Sequence, residues 1–320
     1  MSNRTESYLM GLIGDGVMPS LTPSLHEREA DLQGLRCLYR PIDLAELDLP
    51  GSAVGDLLTA AYRLGYNGLN ITHPCKQLVL EHLDEISDDA RNLGAVNTVV
   101  IEGGRFIGHN TDCSGFAAAL AGGLPDVALD TVVQLGAGGA GSAVAYALLS
   151  AGVRTLHLVD LDRARADGRA AELADQFPDR SVTGRAPDEV PALLAHADGL
   201  VHCTPVGMAA HPGTPLDMDL VERRHWVADI VYRPIDTELV RLSRDKGCRV
   251  LDGGRMAVGQ AVDAFGIFTG RAADPERMRS HFLELIAAEG TAAEAAPATT
   301  AGAVLAPVPA SPLGGAGAIG

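Results

Sequence analysis

The stretch "TVVQLGAGGAG", residues 131–141, decides the fold. Thr131 to Leu135 read as a buried strand. Gly136, Gly138 and Gly141 then follow in G-x-G-x-x-G spacing, directly before the helix-forming run "SAVAYALLSAG". Strand, glycine turn and helix in that order let the backbone approach a pyrophosphate and offer it the N–H groups of a helix N-terminus. A tight turn without a ligand also uses small residues, so the neighbouring sequence has to be weighed with the triplet. The next strand, "TLHLVD", ends at Asp160, about 20 residues on, where a Rossmann fold sets a residue beside the adenosine ribose. A carboxylate there accepts hydrogen bonds from a free 2′-hydroxyl and repels a 2′-phosphate, which favours NAD over NADP. The alternative is that "DLDRARAD" is an acidic helix start. Asp162 suits that role better than Asp160, while Arg163 and Arg165 are cations within reach of a phosphate.

Downstream of the glycine loop, "GLVHCT", "WVADIVY" and "RVLDGG" alternate with helical stretches and complete one α/β unit. Upstream lies a second. "YLMGLIG" reads as a strand, and "TPSLHEREADLQGL" as a helix with Thr22 at the N-cap and Pro23 at the first helical position. "CLYRPID", "VGDLLTAAYRLG", "GLNIT" and a helical segment opened by Pro74 continue the alternation, so the first 90 residues read βαβαβα. "AVNTVVIEGGRFIGHNT" predicts a hairpin around Gly103 and Gly104, followed by a helix from near Ser114. The segments "RMAVGQAVDAFGIFTG" and "DPERMRSHFLELIAAE" are helical by period and are expected to return to the first unit. From 289 onward an Ala, Pro and Gly tract without amphipathic period reads as a disordered tail.

The fold expected is therefore α/β: an N-terminal α/β domain over residues 1–112, a Rossmann-like dinucleotide domain over 113–253, returning helices over 254–288 and a tail over 289–320. Composition narrows the function. The chain is 47% hydrophobic and 21% charged, as a soluble globular enzyme is. A net charge of -16 and no cluster of basic residues argue against a nucleic-acid surface. Five cysteines, odd in number and without a CxxC pair, indicate neither a disulfide framework nor zinc, and fit a reducing cytoplasm. No basic-then-apolar leader and no long apolar run point to secretion or to a membrane.

Lysine is scarce: Lys76 and Lys246 are the only two in a Lys plus Arg total of 25. Oxidising an alcohol by hydride transfer leaves a hydroxyl proton to be taken by a positioned base. A partly buried lysine can lose its proton, whereas arginine cannot. Lys76, just after a Thr-His-Pro turn, is a candidate for that base or else a surface residue, while Lys246 in "SRDKG" reads as solvated. Asn110, Thr111 and Asp112, at the junction of the two units, either cap a helix or present a carboxylate to a substrate hydroxyl.

The motifs "SLTPSLHE", "GLNITHPCKQ", "LGAVNTVV", "GHNTDCSGF", "GAGGAG", "CTPVGM", "DIVYRPIDTEL" and "DGGRMAVGQAVDAF" occur in this order. In them the chain resembles the shikimate and quinate dehydrogenases, over about residues 8 to 288. The resemblance implies an N-terminal substrate domain, a Rossmann-like domain and an active site in the cleft between them. It implies Lys76 and Asp112 as the catalytic pair and Ser20 and Thr22 at the substrate carboxylate. Thr72, Asn97 and Gln260 would hold ring hydroxyls, with Tyr232 near the carboxylate. For the cofactor it implies Gly136, Ala137, Gly138, Gly139 and Ala140, then Asp160, Arg165, Thr204, Val231 and Gly253, and no metal.

Two positions depart from the biosynthetic, NADP-linked pattern. Ser20-Leu21-Thr22 stands in place of Ser-x-Ser, and Asp160-Leu161-Asp162 in place of Asn-Arg-Thr. Both resemble the NAD-dependent quinate/shikimate dehydrogenases of quinate catabolism, with NADP as the other cofactor to weigh. The expected reactions are quinate to 3-dehydroquinate and shikimate to 3-dehydroshikimate. An aminoshikimate or aminoquinate dehydrogenase is a rival, as is a noncatalytic sensor of a cyclohexane carboxylate. The partners expected are the small-molecule substrate and cofactor, in a monomer or a homo-oligomer.

Overall fold

The computed structural model describes residues 7–295. The first half runs β1 (Ser7–Gly14), α1 (Thr22–Leu32), β2 (Arg36–Asp43), α2 (Val54–Leu64), β3 (Gly68–Ile71), α3 (Cys75–Leu78), β4 (Glu85–Ile86), α4 (Asp88–Leu93), β5 (Thr98–Glu102) and β6 (Arg105–His109). Its strands form one sheet in the order β2-β1-β3-β5-β6-β4. β1 pairs in parallel with β2 and β3, and β5 runs antiparallel to β3 and β6. The β5–β6 turn is the expected hairpin, with Gly103 and Gly104 at φ 58° and 85°, a conformation that glycine adopts without strain. One face of the sheet packs Ile13, Leu69, Ile71 and Val99 on α2, and the other packs Met10, Leu12 and Val100 beneath Phe268.

α5 (Thr111–Gly123) crosses to the second half, which runs β7 (Thr131–Leu135), α6 (Gly139–Ser150), β8 (Thr155–Val159), α7 (Arg163–Gln176), β9 (Ser181–Arg185), α8 (Val190–Leu194), β10 (Gly199–His202), β11 (Trp226–Asp229), α9 (Glu238–Asp245) and β12 (Arg249–Leu251). This sheet is parallel throughout, in the order β12-β11-β10-β7-β8-β9. That is the doubly wound order, and strand order reverses between β7 and β10, where such sheets open a ligand crevice. Covered on both faces, the inner strands bury Val132, Val133, Leu156, Leu158, Leu200 and Val227, while the edge strand β9 is mostly polar.

α10 (Gly253–Thr269) and α11 (Pro275–Ala295) follow. α10 lies against α5 at a backbone-to-backbone crossing: a Cβ on Gly115 would stand 2.5 Å from the Gln260 nitrogen, and one on Gly259 would stand 2.8 Å from the Gly115 oxygen. α11 packs Met278 and Phe282 against Leu25 of α1 and Val258 of α10. Glu29, buried on α1, accepts from Arg277 Nε at 2.8 Å and from the Asp274 N–H at 3.1 Å, tying α11 down by charge as well.

Three local expectations are corrected. Thr22 is the first residue of α1 rather than its cap: Leu21 stands at the N-cap without a side-chain bond, and Ser20 Oγ, one residue before it, accepts the Thr22 N–H. α5 starts at Thr111 rather than near Ser114: Asn110 Oδ1 accepts from the N–H groups of Asp112 and Cys113, so Asp112 sits inside the first turn. α11 continues through Ala295, past the boundary at 288, since the Ala-rich run "GTAAEA" favours a helix. The rest of the expected tail, 296–320, lies outside the described residues.

Candidate active site

Between the two sheets lies a cavity of about 530 Å³. Its lining brings together Ser20, Thr22, Thr72, Lys76, Asn97, Asp112, Tyr232 and Gln260, residues spread from one end of the chain to the other. Ser20 and Thr22 come from the start of α1, Thr72 and Lys76 from the end of β3 and α3, Asn97 from the approach to β5, and Asp112 from the first turn of α5. Tyr232 follows β11, and Gln260 is on α10 beside the glycine crossing.

Lys76 Nζ lies 2.5 Å from Asp112 Oδ2. The start of α5 at Thr111 makes this contact possible, because the Asn110 cap turns Asp112 toward α3. Ser20 Oγ donates to Thr22 Oγ1 at 3.1 Å and accepts the Thr22 N–H at 3.2 Å, which leaves the Thr22 hydroxyl proton for an anion at the helix N-terminus. Asn97 is held from below. Its Oδ1 accepts the Thr111 N–H at 2.7 Å, and its Nδ2 donates to Thr111 Oγ1 at 3.0 Å. Asn70, buried in the same wall, accepts from Tyr39 Oη at 2.6 Å and donates to Thr98 Oγ1 at 3.0 Å.

Two further cavities lie beside the glycine loop. One, of about 680 Å³, is lined by Ala137, Gly138, Gly139, Ala140 and Arg165 on one side and by Thr72 and Lys76 on the other. Lys76 thus stands in the wall shared by this cleft and the cavity above. The other, of about 620 Å³, is lined by Gly136, Gly138, Asp160, Arg165 and Thr204. The loop fits a dinucleotide. A Cβ on Gly136 would come within 2.7 Å of the Cys203 oxygen and one on Gly141 within 2.4 Å of the Gly136 oxygen, while nothing lies within 4 Å of that position at Gly138 or Gly139, leaving the start of α6 bare.

Asp160 ends β8 with both oxygens engaged. Oδ2 accepts the Ala137 N–H at 2.9 Å and Arg165 Nε at 3.2 Å, and Oδ1 accepts the Asp162 N–H at 2.9 Å and Arg165 Nη2 at 2.6 Å. Burial pushes this carboxyl up, but the Arg165 and backbone hydrogen bonds outweigh it and hold it below the usual aspartate range. Asp162 is the α7 cap, as expected.

Val231 and Gly253 are not among the lining residues of these cavities: a Cβ on Gly253 would meet the Val231 oxygen at 2.4 Å, so the two are packed on each other. Lys246 is half-buried and tied to the chain rather than free in solvent. Its Nζ donates to the carbonyls of Met218 at 2.6 Å and Val221 at 3.1 Å, anchoring the short 3-10 turn whose Leu220 lines the Asp160 cavity. Arg233, which sequence reasoning passed over, lines the Lys76 cavity, donates to the Pro19 carbonyl at 2.7 Å and pairs with Glu289. Nothing local in the sequence marks it, since Pro19 is 214 residues away. Asp43 was missed too: it accepts the Gly16 and Met18 N–H groups and shapes the loop leading to Ser20. The cysteines nearby offer no thiolate, since burial first, then the Asp89 and Asp112 charges, push Cys113 up to about 12. Among the described residues no helix is long and apolar enough to cross a membrane.

Residues 12–99 match the family described as shikimate dehydrogenase substrate binding domain. A shikimate dehydrogenase (NADP(+)) from Arthrobacter sp. is 76% identical over 90% of this chain and 99% of its own. The chain belongs to the shikimate dehydrogenase family. Other members differ in the cofactor they are named for: a quinate/shikimate dehydrogenase (NAD(+)) from Corynebacterium efficiens is 52% identical over 88% of this chain and 99% of its own. Among solved members, quinate dehydrogenase from Corynebacterium glutamicum in complex with NAD superposes with a TM-score of 0.84 at 50% identity, covering 87% of this chain and 99% of that one. As in that family, the fold is two-domain α/β with a nicotinamide-cofactor half. The amino-analogue and sensor readings gain no support from these relatives.

Proposed function

We propose that the protein is an NAD-dependent quinate/shikimate dehydrogenase, interconverting quinate with 3-dehydroquinate and shikimate with 3-dehydroshikimate. The observation that carries this is the position of Lys76, in the wall common to the Ser20–Gln260 cavity and the glycine-loop cleft, with Asp112 at 2.5 Å. NAD, when bound, accepts the hydride from the alcohol carbon. The chain supplies the rest. Lys76 Nζ takes the hydroxyl proton, and Asp112 orients both the lysine and the hydroxyl. The substrate carboxylate sits at the Thr22 hydroxyl, Ser20 and the N-terminus of α1, with Tyr232 alongside; Thr72, Asn97 and Gln260 hold the remaining hydroxyls. Residues 1–112 with the helices of 254–288 form the substrate half, and 113–253 the cofactor half.

Gly136 to Ala140 and Thr204 would line the dinucleotide, with the ribose hydroxyls against Asp160. Preference for NAD rests on that carboxylate, which a 2′-phosphate would meet with like charge. NADP is the second reading, favoured by the Arg165 guanidinium beside Asp160 and by the cofactor for which the Arthrobacter relative is named. Initial rates for quinate and shikimate, each with NAD and with NADP, test both. The expected result is NAD reduction by at least one substrate. Reduction of neither cofactor by either substrate overturns the assignment.

A further inference from the structure

At the point where strand order reverses in the second sheet, a chain of buried hydrogen bonds ends at the cofactor crevice. Asp229, at the end of β11, accepts three of them. The Val231 N–H donates to Oδ1 at 3.0 Å, the Thr237 hydroxyl to Oδ2 at 2.6 Å, and His202 Nδ1 stands 2.9 Å from Oδ1. Thr237 Oγ1 itself accepts the Val240 N–H at 3.2 Å, so its proton is free only for Asp229. His202, at the end of β10, is fully buried, and its Nε2 lies 2.5 Å from Thr204 Oγ1. Thr204 in turn abuts the first glycine of the loop, its Cγ2 3.1 Å from where a Gly136 Cβ would stand, and it lines the Asp160 cavity.

Donor and acceptor counting orders this chain. Asp229 accepts on both oxygens, so Nδ1 of the imidazole carries the hydrogen. In the neutral ring Nε2 is then an acceptor, and the Thr204 hydroxyl must donate to it. One lone pair of Thr204 Oγ1 takes the Val206 N–H at 3.3 Å, which leaves the other for a ligand of the cavity that this half-buried residue lines. Without His202 the hydroxyl would rotate freely.

We propose that His202, held by Asp229, is a positioning residue for the dinucleotide: it fixes the Thr204 hydroxyl as an acceptor aimed at a hydrogen-bond donor on the cofactor. That donor is a ribose hydroxyl or the carboxamide amine. The inference rests on reading this crevice as the dinucleotide site.

The test is a double-mutant cycle on binding, read by calorimetric titration of the full chain with NAD and with ADP-ribose. The variants are Thr204→Val, His202→Asn and the pair, the asparagine keeping a donor toward Asp229 while breaking the link to Thr204. Loss of one well-made hydrogen bond weakens Kd by about tenfold. The expected result is about that loss for Thr204→Val, a smaller loss for His202→Asn, and a double variant no weaker than Thr204→Val alone. A loss seen with both ligands identifies the ribose hydroxyl as donor; a loss confined to NAD identifies the carboxamide. Multiplying losses, or a His202→Asn protein that only melts earlier and binds like wild type, overturns the proposal. If His202→Asn does not fold, His202→Ser, too short to reach Thr204, takes its place in the cycle with Thr204→Val, and multiplying losses or binding like wild type again overturn the proposal. Wild type that binds neither NAD nor ADP-ribose would sink the crevice assignment itself.

Discussion

Arg165 lies flat along Asp160, giving Nη2 to one carboxylate oxygen and Nε to the other, so the residue that would read the ribose is itself clasped by a cation five positions on. A ribose hydroxyl reaching Asp160 has to share or displace that guanidinium. Replacing Asp160 by Asn should weaken NAD use, and adding Leu161→Arg, at a position 92% exposed, should move the kcat/KM ratio toward NADP by about tenfold or more, roughly 1.4 kcal/mol. Measuring both cofactors on wild type and the two variants checks this. Wild-type preference for NADP would mean that Arg165 leaves Asp160 to meet the 2′-phosphate.

Lys76→Ala should lower turnover by about 10²–10⁴-fold, the usual contribution of a positioned acid–base group, while the dissociation constant for NAD changes little. Asp112→Asn keeps the shape of its side chain but removes the charge facing Lys76 and should lower kcat as well. Parallel titration and steady-state assays of the two variants separate binding from chemistry; a Lys76→Ala enzyme with near-normal turnover would remove the base from this assignment.

The second lysine should behave differently. Lys246→Ala gives up two hydrogen bonds from a charged donor to carbonyls, a cost of about 1–3 kcal/mol in stability. Because the turn it anchors lines the Asp160 cavity, the cofactor KM should rise while kcat at saturation holds. Thermal melts with cofactor titrations measure both, and an unchanged melting temperature would show that the carbonyl contacts contribute nothing.

Acid should loosen α11 first. Burial raises the Glu29 carboxyl, but the Arg277, Gln33 and Asp274 hydrogen bonds more than offset it, so the folded-state pKa lies below its ordinary 4.5. A depressed carboxylate stabilises fully above the unfolded pKa and loses that contribution as pH falls through the folded one. Wild type should therefore lose melting temperature more steeply below about pH 4.5 than Glu29→Gln does, and the variant should be less stable at pH 7. Equal acid slopes would show that other carboxylates govern the transition.

What could be read from the sequence was local or repeated. The glycine loop announces itself because turn, strand and helix signals are consecutive, and the apolar strands are legible because a parallel sheet buries both faces. Asp162 as a cap follows from its place before a helical run. Where several cap-forming residues stand together, as from Asn110 to Ser114, sequence does not say which one starts the helix, and the position of Asp112 depended on it. The remaining site chemistry is through-space. Lys246 meets carbonyls 25 and 28 positions away, and His202 meets Asp229 across neighbouring strands. No spacing rule connects such pairs, because sheet order brings them together.

At the crossing of α5 and α10, Gly115 and Gly259 let two main chains touch with no side chain between them. Such a contact cannot be compressed and offers no side chain that could repack, so it acts as a fulcrum. If the halves swing about it, parts near the crossing travel least and parts far from it travel most. Asp112 and Gln260 each lie within three residues of the contact, whereas Asp160 and Ser20 lie well away along their own domains. Swinging the halves together would then narrow the cleft at its rim while leaving the spacing between the α5 carboxylate and the α10 amide nearly constant, and a larger residue at either glycine would alter that spacing before it altered the rim.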